Sequence, residues 1–164
     1  MQAPIRESEG VLALQICFVT DDLDRSLAYF TDIVGQPVPP ITEQSPPEVA
    51  RTRYLGQASK LGFRTAQLSW RGTLIEFIEP DDEPSTWRDF LDRKGPGVHH
   101  LGFTVANFDA TRDELSDKGM TVLQEAFFPG GRYAYCDSER ELGVVIELLE
   151  IEPGRFSTVP TGTV

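Results

Sequence analysis

An internal repeat is the feature of this sequence that most limits how the chain can fold. The segments LQICFVTDDLDRS and HHLGFTVANFDAT align without a gap at an offset of 85 residues, and GTLIEFIEP aligns with GVVIELLEI at an offset of 71. The difference, 85 − 71 = 14 residues, is close to the length of a proline-rich segment, 37–50, that the second half lacks. The repeat therefore predicts an α+β fold of two tandem modules, each with the element order strand–helix–strand–strand–strand (βαβββ).

The module boundaries follow from the repeat, within a single domain of 164 residues. Module one covers about residues 11–80 and module two about residues 97–151, and a linker helix over about 84–94 joins them. Residues 1–10 and 152–164 lack hydrophobic periodicity, so we expect a loose leader and a mobile tail there.

Capping residues mark the predicted helices. Asp21 or Asp22 caps the first helix, which ends at Gly35, and Ser85 and Asn107 cap the two later ones. Five prolines within 37–50 exclude a helix or a central strand there and predict a long loop that forms a lid or a rim. Strands are predicted at Leu12–Thr20, Phe63–Trp70, Thr73–Ile78, Gly97–Val105, Met120–Ala126, Arg132–Cys136 and Gly143–Leu149.

Charge and hydropathy restrict the partners of the chain. A net charge of -11 argues against nucleic acid, and the lack of a long apolar run or of a signal peptide predicts a cytoplasmic protein without membrane contact. Basic residues gather once, at Arg51, Arg53, Lys60 and Arg64. A solvated loop is the favoured interpretation of that group, and substrate binding by Arg51 and Arg53 is the alternative. Cys17 is expected to be reduced and buried, with a role as a nucleophile or in substrate binding as the minority interpretation.

The two histidines of the chain, His99 and His100, are adjacent in the predicted strand Gly97–Val105. Neighbouring side chains in a strand point to opposite faces. His100 then shares a face with the small residues Gly102 and Thr104, as in the floor of a cavity. His99 lies on the apolar face that packs on helices, which predicts a structural role for it.

Two carboxylates occupy equivalent positions in the closing strands of the modules. Glu76 and Glu147 each interrupt an apolar run, and a buried carboxylate is costly unless it is paired or binds a metal. Gln15 and His100 are equivalent in the opening strands. These four side chains predict a site for a divalent ion, and an imidazole with oxygen ligands suits Zn, Mn, Co or Ni.

The duplicated module, the GVHHLGF strand and the closing strands with Ile-Glu resemble the vicinal oxygen chelate superfamily, which includes glyoxalases, bleomycin resistance proteins and extradiol dioxygenases. The resemblance covers about residues 11–151 and is greatest to its methylmalonyl-CoA epimerase-like and lactoylglutathione lyase-like branches. It implies an incomplete barrel around a metal ion bound by Gln15, Glu76, His100 and Glu147. Glutamine at position 15 departs from the two-histidine set of the iron-dependent ring-cleaving branch.

This resemblance implies a metal-dependent lyase or isomerase that removes a proton α to a carbonyl through a metal-bound enolate. Glu147 is the predicted base, and Glu76 is the second acid–base group that an epimerase needs, with Glu43 and Glu48 as weaker candidates. The implied partners are a carbonyl compound or an acyl thioester and a second copy of the chain in a homodimer. The alternative is a non-enzymatic protein that binds a small molecule in the same cavity. Its aromatic lining would come from Phe63, Trp70, Tyr133 and Tyr135.

Overall fold

The computed structural model describes residues 14–152, so the predicted leader and, from residue 153, the predicted tail lie outside the described residues. The strands are β1 (Gln15–Val19), β2 (Ile41–Glu43), β3 (Arg53–Tyr54), β4 (Gln57–Ala58), β5 (Phe63–Trp70), β6 (Thr73–Pro80), β7 (Gly97–Thr104), β8 (Val122–Phe128), β9 (Gly131–Cys136) and β10 (Val145–Ile151). The helices are α1 (Leu23–Val34), α2 (Pro47–Ala50), α3 (Thr86–Lys94), α4 (Phe108–Asp117) and α5 (Glu139–Leu142). Within 14–152 no helix is both long and apolar enough to cross a membrane.

The strands form one curled sheet in the order β2-β5-β6-β1-β7-β10-β9-β8-β3-β4. Within each module the opening strand pairs in parallel with the closing strand, β1 with β6 and β7 with β10. The two modules join where β1 pairs antiparallel with β7, so they lie side by side in one chain. This arrangement confirms the predicted α+β fold of two βαβββ modules in an incomplete barrel.

The three predicted helices begin where the sequence indicated. The side chain of Asp22 accepts a hydrogen bond from the backbone N–H of Arg25 (3.0 Å) and caps α1, while Asn107 caps α4 in the same way. Ser85 caps α3, the linker helix. Gly35 ends α1 at a φ of 66°, a left-handed conformation that glycine adopts without strain.

The proline-rich segment connects the two ends of the sheet. β2 pairs with β5 at one end, and β3 pairs with β8 near the other. Residues 44–52, which we call the strap, can span at most about 30 Å, so the two ends must curl towards each other. The prediction of no helix here was wrong, because α2 begins at Pro47, and proline fits the first turn of a helix, where its missing N–H has no partner to lose.

A bulge in β7 changes the direction of one histidine. Cys17 of β1 pairs with His100 and the next residue pairs with Val98, so His99 is an extra residue in the ladder. The rings of both histidines contact the ring of Tyr135, with centroids 5.4 and 4.7 Å away. The prediction that His99 points to the opposite face was therefore wrong, because strict alternation fails at a bulge.

Two ion-paired triads related by the repeat lie near the ends of the closing strands. Glu79 and Glu150 each contact an arginine of the preceding strand and, through it, an aspartate of a helix. The triads are Asp24–Arg64–Glu79 and Asp109–Arg132–Glu150. Arg64 therefore belongs to one of these triads rather than to a loop, and Glu79 also accepts the backbone N–H of Leu23 (2.7 Å) at the start of α1.

Candidate metal centre and cavity

The four predicted ligands lie on the four adjacent central strands β6, β1, β7 and β10. Their exposed fractions are 4% for Gln15, 7% for Glu76, 0% for His100 and 3% for Glu147. The Nε2 atom of His100 lies 3.3 Å from Oε2 of Glu147 and 3.7 Å from Oε2 of Glu76. The structure thus brings the four side chains together, with His100 between the two carboxylates.

Three of these four side chains have a buried atom without a hydrogen-bond partner. Among residues 14–152 the unpaired buried side-chain atoms are Oε1 of Gln15, Nε2 of His100 and Oε2 of Glu147. A buried polar atom without a partner costs about 1–3 kcal/mol. Three such atoms from the two modules would regain this energy together if they bound one cation.

Gly102 has no side chain, and the side-chain oxygens of Gln15 and Glu147 occupy the space beside it. It pairs with both of them in the sheet, on its two sides. A Cβ atom at Gly102 would lie 2.5 Å from Oε2 of Glu147 and 2.9 Å from Oε1 of Gln15. The two oxygens can therefore converge only because residue 102 has no side chain.

Cys17 is the repeat equivalent of Gly102, since it pairs with Glu76 on one side and with His100 on the other. Its thiol is fully buried and donates a hydrogen bond to the backbone carbonyl of Phe18 (3.6 Å). Burial above all, and then the charges of Glu76 and Glu147, raises the pKa of this thiol well above its usual range. The thiolate is the nucleophilic form, so Cys17 lacks the environment of a reactive cysteine.

Glu76 is oriented by two residues of β5. Its Oε1 accepts hydrogen bonds from Nε2 of Gln67 (2.7 Å) and from the hydroxyl of Thr65 (3.2 Å). Burial raises the pKa of Glu76, His100 and the two hydrogen bonds oppose the shift, and the charge of Glu147 adds to it. Thr65 and Gln67 were not among the predicted site residues, although alternation along the predicted hairpin places them on the face of Glu76.

The two histidine rings contact each other through their Nδ1 atoms, which are 2.9 Å apart. His99 is 2% exposed, and its ring lies edge-on to Phe90 and Tyr135. Burial is the largest cause that holds the pKa of His99 well below its usual range, and the charge of His100 adds to it. His99 is therefore neutral, so one of its ring nitrogens donates a hydrogen bond and the other can only accept one.

A cavity of about 310 Å³ opens next to this centre. Gln15, Glu76 and Glu147 line its polar side. The predicted residues Phe63, Tyr133 and Tyr135 line its apolar side, together with Trp87 of the linker helix, which was not among the predicted lining residues. Tyr133 and Tyr135 have raised pKa values because they are buried, so both hydroxyls stay protonated.

Other predicted substrate residues lie elsewhere. Trp70 is 37% exposed near the hairpin turn, and Arg53 bonds to the carbonyl of Gly56, both outside the cavity lining. The guanidinium of Arg51 lies 5.3 Å from the ring centroid of Phe127, which lines the cavity, so Arg51 is close to the mouth. Of the two weaker acid–base candidates, Glu43 lines the cavity and Glu48 does not.

The donor atoms fit a divalent cation. One imidazole nitrogen, one amide oxygen and two carboxylates would neutralise a 2+ charge and suit Zn, Mn, Co or Ni. The unpaired atoms and the space at Gly102 support this fit. Cys17, Glu76 and His100 each have one donor atom within 4.8 Å of the donor atoms of the other two residues, so the thiol lies at the edge of the same centre.

Comparisons with known proteins identify the family and the fold. The sequence profile of the Glyoxalase/Bleomycin resistance protein/Dioxygenase superfamily matches residues 14–136. An uncharacterized protein of Bacillus subtilis, YqjC, is 31% identical over 81 residues, which are 46% of this chain and 56% of that protein. The chain thus spans little more than half the length of this curated relative.

Two solved structures share the fold. Methylmalonyl-CoA epimerase from Mycobacterium tuberculosis has a TM-score of 0.59 and 22% identity, with 93% of this chain and 97% of that chain covered. Methylmalonyl-CoA epimerase of Streptomyces coelicolor, in complex with 2-nitronate-propionyl-CoA, has a TM-score of 0.56 and 20% identity, with 85% and 96% covered. At this identity the likeness establishes the fold, and the profile establishes the family: the chain belongs to the glyoxalase/bleomycin resistance/dioxygenase superfamily.

Proposed function

We propose that this protein is a metal-dependent isomerase of the epimerase type, which removes the proton α to the carbonyl of an acyl thioester and returns it to the opposite face. One observation carries the proposal: His100 lies between two buried carboxylates, and three unpaired donor atoms converge beside a cavity. A purely structural core would satisfy such atoms or replace them with apolar groups.

The ligands in this proposal are Gln15, Glu76, His100 and Glu147. A divalent ion bound by them would polarise the carbonyl of the substrate and stabilise the negative charge that develops as the α-proton leaves. The side chains themselves position the reacting groups, and the buried walls of the cavity exclude water, which strengthens each electrostatic contact.

Glu147 is the base in this proposal, because its Oε2 accepts no hydrogen bond and faces the cavity. A carboxylate oxygen that accepts no hydrogen bond is free to take a proton from the substrate. Glu76 accepts two such bonds from Thr65 and Gln67, which hold it in place. Glu76 lies on the other side of His100 at the position that the repeat relates to Glu147, so it is the group that returns the proton to the opposite face.

The cavity supports an acyl thioester as the substrate. Its volume of about 310 Å³ holds an acyl group and the thioester but not a nucleotide as well. The nucleotide of an acyl-CoA would therefore remain at the mouth, where Arg51 lies beside Phe127 and offers a positive charge to a phosphate. The acyl-CoA ligand of the Streptomyces coelicolor structure supports the same class of substrate.

Proton exchange with deuterated solvent tests the proposal. The zinc-, manganese- or cobalt-loaded protein is incubated with methylmalonyl-CoA in D2O, and the α-proton signal is followed by NMR. The parallel sample contains the hemithioacetal of methylglyoxal and glutathione, the type of substrate that a glyoxalase-type lyase would use. We expect exchange with the acyl-CoA. Exchange with the hemithioacetal alone would assign the protein to the lyase branch.

Two matched variants identify the base. Glu147→Gln should lower the exchange rate by about 100-fold or more, since a general base contributes about 10²–10⁴-fold. Glu150→Gln makes the same change three residues along β10 in an ion pair outside the cavity, and it should leave the rate within a few-fold of the unmodified protein. Metal content is measured in both. If Glu147→Gln retains metal and the full rate, Glu147 is not the base.

The rival function is binding without chemistry, which the aromatic lining of Phe63, Trp87, Tyr133 and Tyr135 favours. The same experiment separates the two functions. A protein that binds metal and either probe without any exchange of the α-proton would be a binder rather than an isomerase.

A further inference from the structure

The contact between the two histidines constrains where their protons lie. The two Nδ1 atoms are 2.9 Å apart, which is a hydrogen-bond distance, so one ring donates and the other accepts. The distance alone does not say which ring donates. The partner at the far side of His99 decides the direction.

His99 donates on its far side to the backbone carbonyl of Thr86, the first residue of α3. Because Nδ1 of His99 faces His100, the bond to Thr86 is made by Nε2–H. The carbonyl is held in place, since the backbone N–H of Thr86 donates to Oε1 of Gln124 (3.0 Å), whose amide in turn donates to the hydroxyl of Tyr133 (3.0 Å). A carbonyl accepts only, so the proton on this side belongs to His99.

The proposed metal site gives the same direction. If Nε2 of His100 binds a metal ion, the neutral ring of His100 carries its proton on Nδ1, and Nδ1 of His99 is the atom that accepts it. A neutral His99 with a proton on Nε2 has a bare Nδ1, which can only accept. The proton between the two rings therefore belongs to Nδ1 of His100.

We propose that His99 is a positioning residue, which holds His100 as the Nδ1–H form and so leaves Nε2 of His100 free to bind a metal ion between the two carboxylates. This inference rests on the proposed metal site and extends it by one residue. A histidine that binds a metal usually donates its other ring N–H to an acceptor, which fixes the tautomer and the ring orientation. Here the acceptor is a second histidine, and only the bulge at His99 brings its ring to the same side as His100.

The proton positions are tested by ¹⁵N NMR of the full-length protein labelled at histidine. The chain has only two histidines, so two ring systems are resolved. We expect Nε2–H and a bare Nδ1 for His99, and Nδ1–H for His100 with a scalar coupling across the bond between the two Nδ1 atoms. The same pattern is expected in the metal-free and in the zinc-loaded protein. A proton on Nδ1 of His99 in either form would overturn the proposal.

Two variants test the consequence for metal binding. His99→Asn places an amide oxygen near the position of Nδ1 and keeps an acceptor, whereas His99→Phe keeps a ring without one. We expect zinc affinity, measured by competition with a chromophoric chelator, to fall about 10–100-fold in His99→Phe and to stay within about threefold in His99→Asn. Equal affinity in folded His99→Phe and unmodified protein would overturn the proposal. None of these measurements depends on catalytic turnover, so they test this proposal even if the protein shows no epimerase activity.

Discussion

Replacement of Gly102 by alanine should disturb the proposed metal centre more than the rest of the fold. The added Cβ would lie 2.5 Å from Oε2 of Glu147. Real Cβ contacts are essentially never shorter than 3.0 Å and are ordinary from 3.4 Å, so the carboxylate oxygen must move by at least 3.0 − 2.5 = 0.5 Å, and by 3.4 − 2.5 = 0.9 Å to reach an ordinary contact. Oε1 of Gln15, at 2.9 Å, must move as well. Metal–ligand distances tolerate only about 0.2 Å. The substitution therefore displaces two of the four proposed ligands while adding one methyl group.

The expected magnitudes follow from these distances. Overpacking of a buried site costs about 1–3 kcal/mol, and each kcal/mol lowers the melting temperature of a domain of this size by about 2–4 °C. Disturbing residues behind the ligands of a metal costs about 10–100-fold in affinity, and moving the ligands themselves costs at least as much. At a zinc concentration of 100 times the original Kd, stabilisation by zinc would fall from about 2.7 kcal/mol to about 1.4 kcal/mol or less.

The assay is thermal unfolding with zinc and with a chelator, together with a direct zinc titration. Gly97→Ala is the matched control in the same strand, because its Cβ would meet the ring of Phe90 at an ordinary 3.6 Å. We expect unchanged zinc stabilisation in Gly97→Ala and a loss of half or more in Gly102→Ala. If Gly102→Ala is folded and binds zinc with unchanged affinity, Gln15 and Glu147 are not ligands at the shared space beside residue 102.

Two further predictions concern the ion triads and the thiol. Arg132→Met should lower the free energy of unfolding at pH 7 by about 1–2 kcal/mol, because Arg132 contacts two partly exposed carboxylates and lies 4.3 Å from the Phe108 ring centroid. The control is Arg140→Met at an exposed position, which should change the free energy of unfolding by less than about 0.5 kcal/mol. Arg132 holds the pKa of Asp109 below its usual range, so this contribution to stability is present above about pH 4 and is lost as the pH falls further. Urea unfolding at pH 3 should therefore show a smaller difference in stability between the unmodified protein and Arg132→Met than at pH 7. An equal difference at both pH values would contradict the role of the ion pairs. The cobalt-loaded protein should lack an intense near-ultraviolet sulfur-to-metal band, because burial keeps the thiol of Cys17 protonated and the thiolate is the form that binds a metal. A band that disappears in Cys17→Ser would show instead that sulfur is a ligand.

The sequence located the candidate site because the repeat carries positional information. Two modules with the same order of elements place equivalent residues on equivalent strands. Gln15 and His100 open their modules and Glu76 and Glu147 close them, so their convergence required only that β1 and β7 pair at the centre of one sheet. The metal-binding role of these residues remains a prediction, which the zinc and exchange experiments test.

The sequence was less informative about residues that depend on strand pairing. Thr65 and Gln67 orient Glu76 because β5 pairs with β6 in one register, and the hairpin alone indicated only their face. Arg53 and Trp70 were predicted near the substrate from their residue types, yet they lie outside the cavity lining, while Trp87 of the linker helix lines the cavity. Residue type therefore predicted that the cavity lining is aromatic, but it did not identify all the residues that form the lining.

The sequence by itself determined the two modules, the caps of their helices and the four positions that open and close them, because periodicity, capping and internal repetition are local or covalent patterns. Only the tertiary structure decided that His99 faces the same side as His100, that the strap joins the two ends of the sheet, and that Gly102 supplies the shared space between Gln15 and Glu147. The physical reason is that a bulge, a register and a cavity arise from contacts between segments far apart in the chain, where the hydrogen bonds of one strand are fixed by its neighbours.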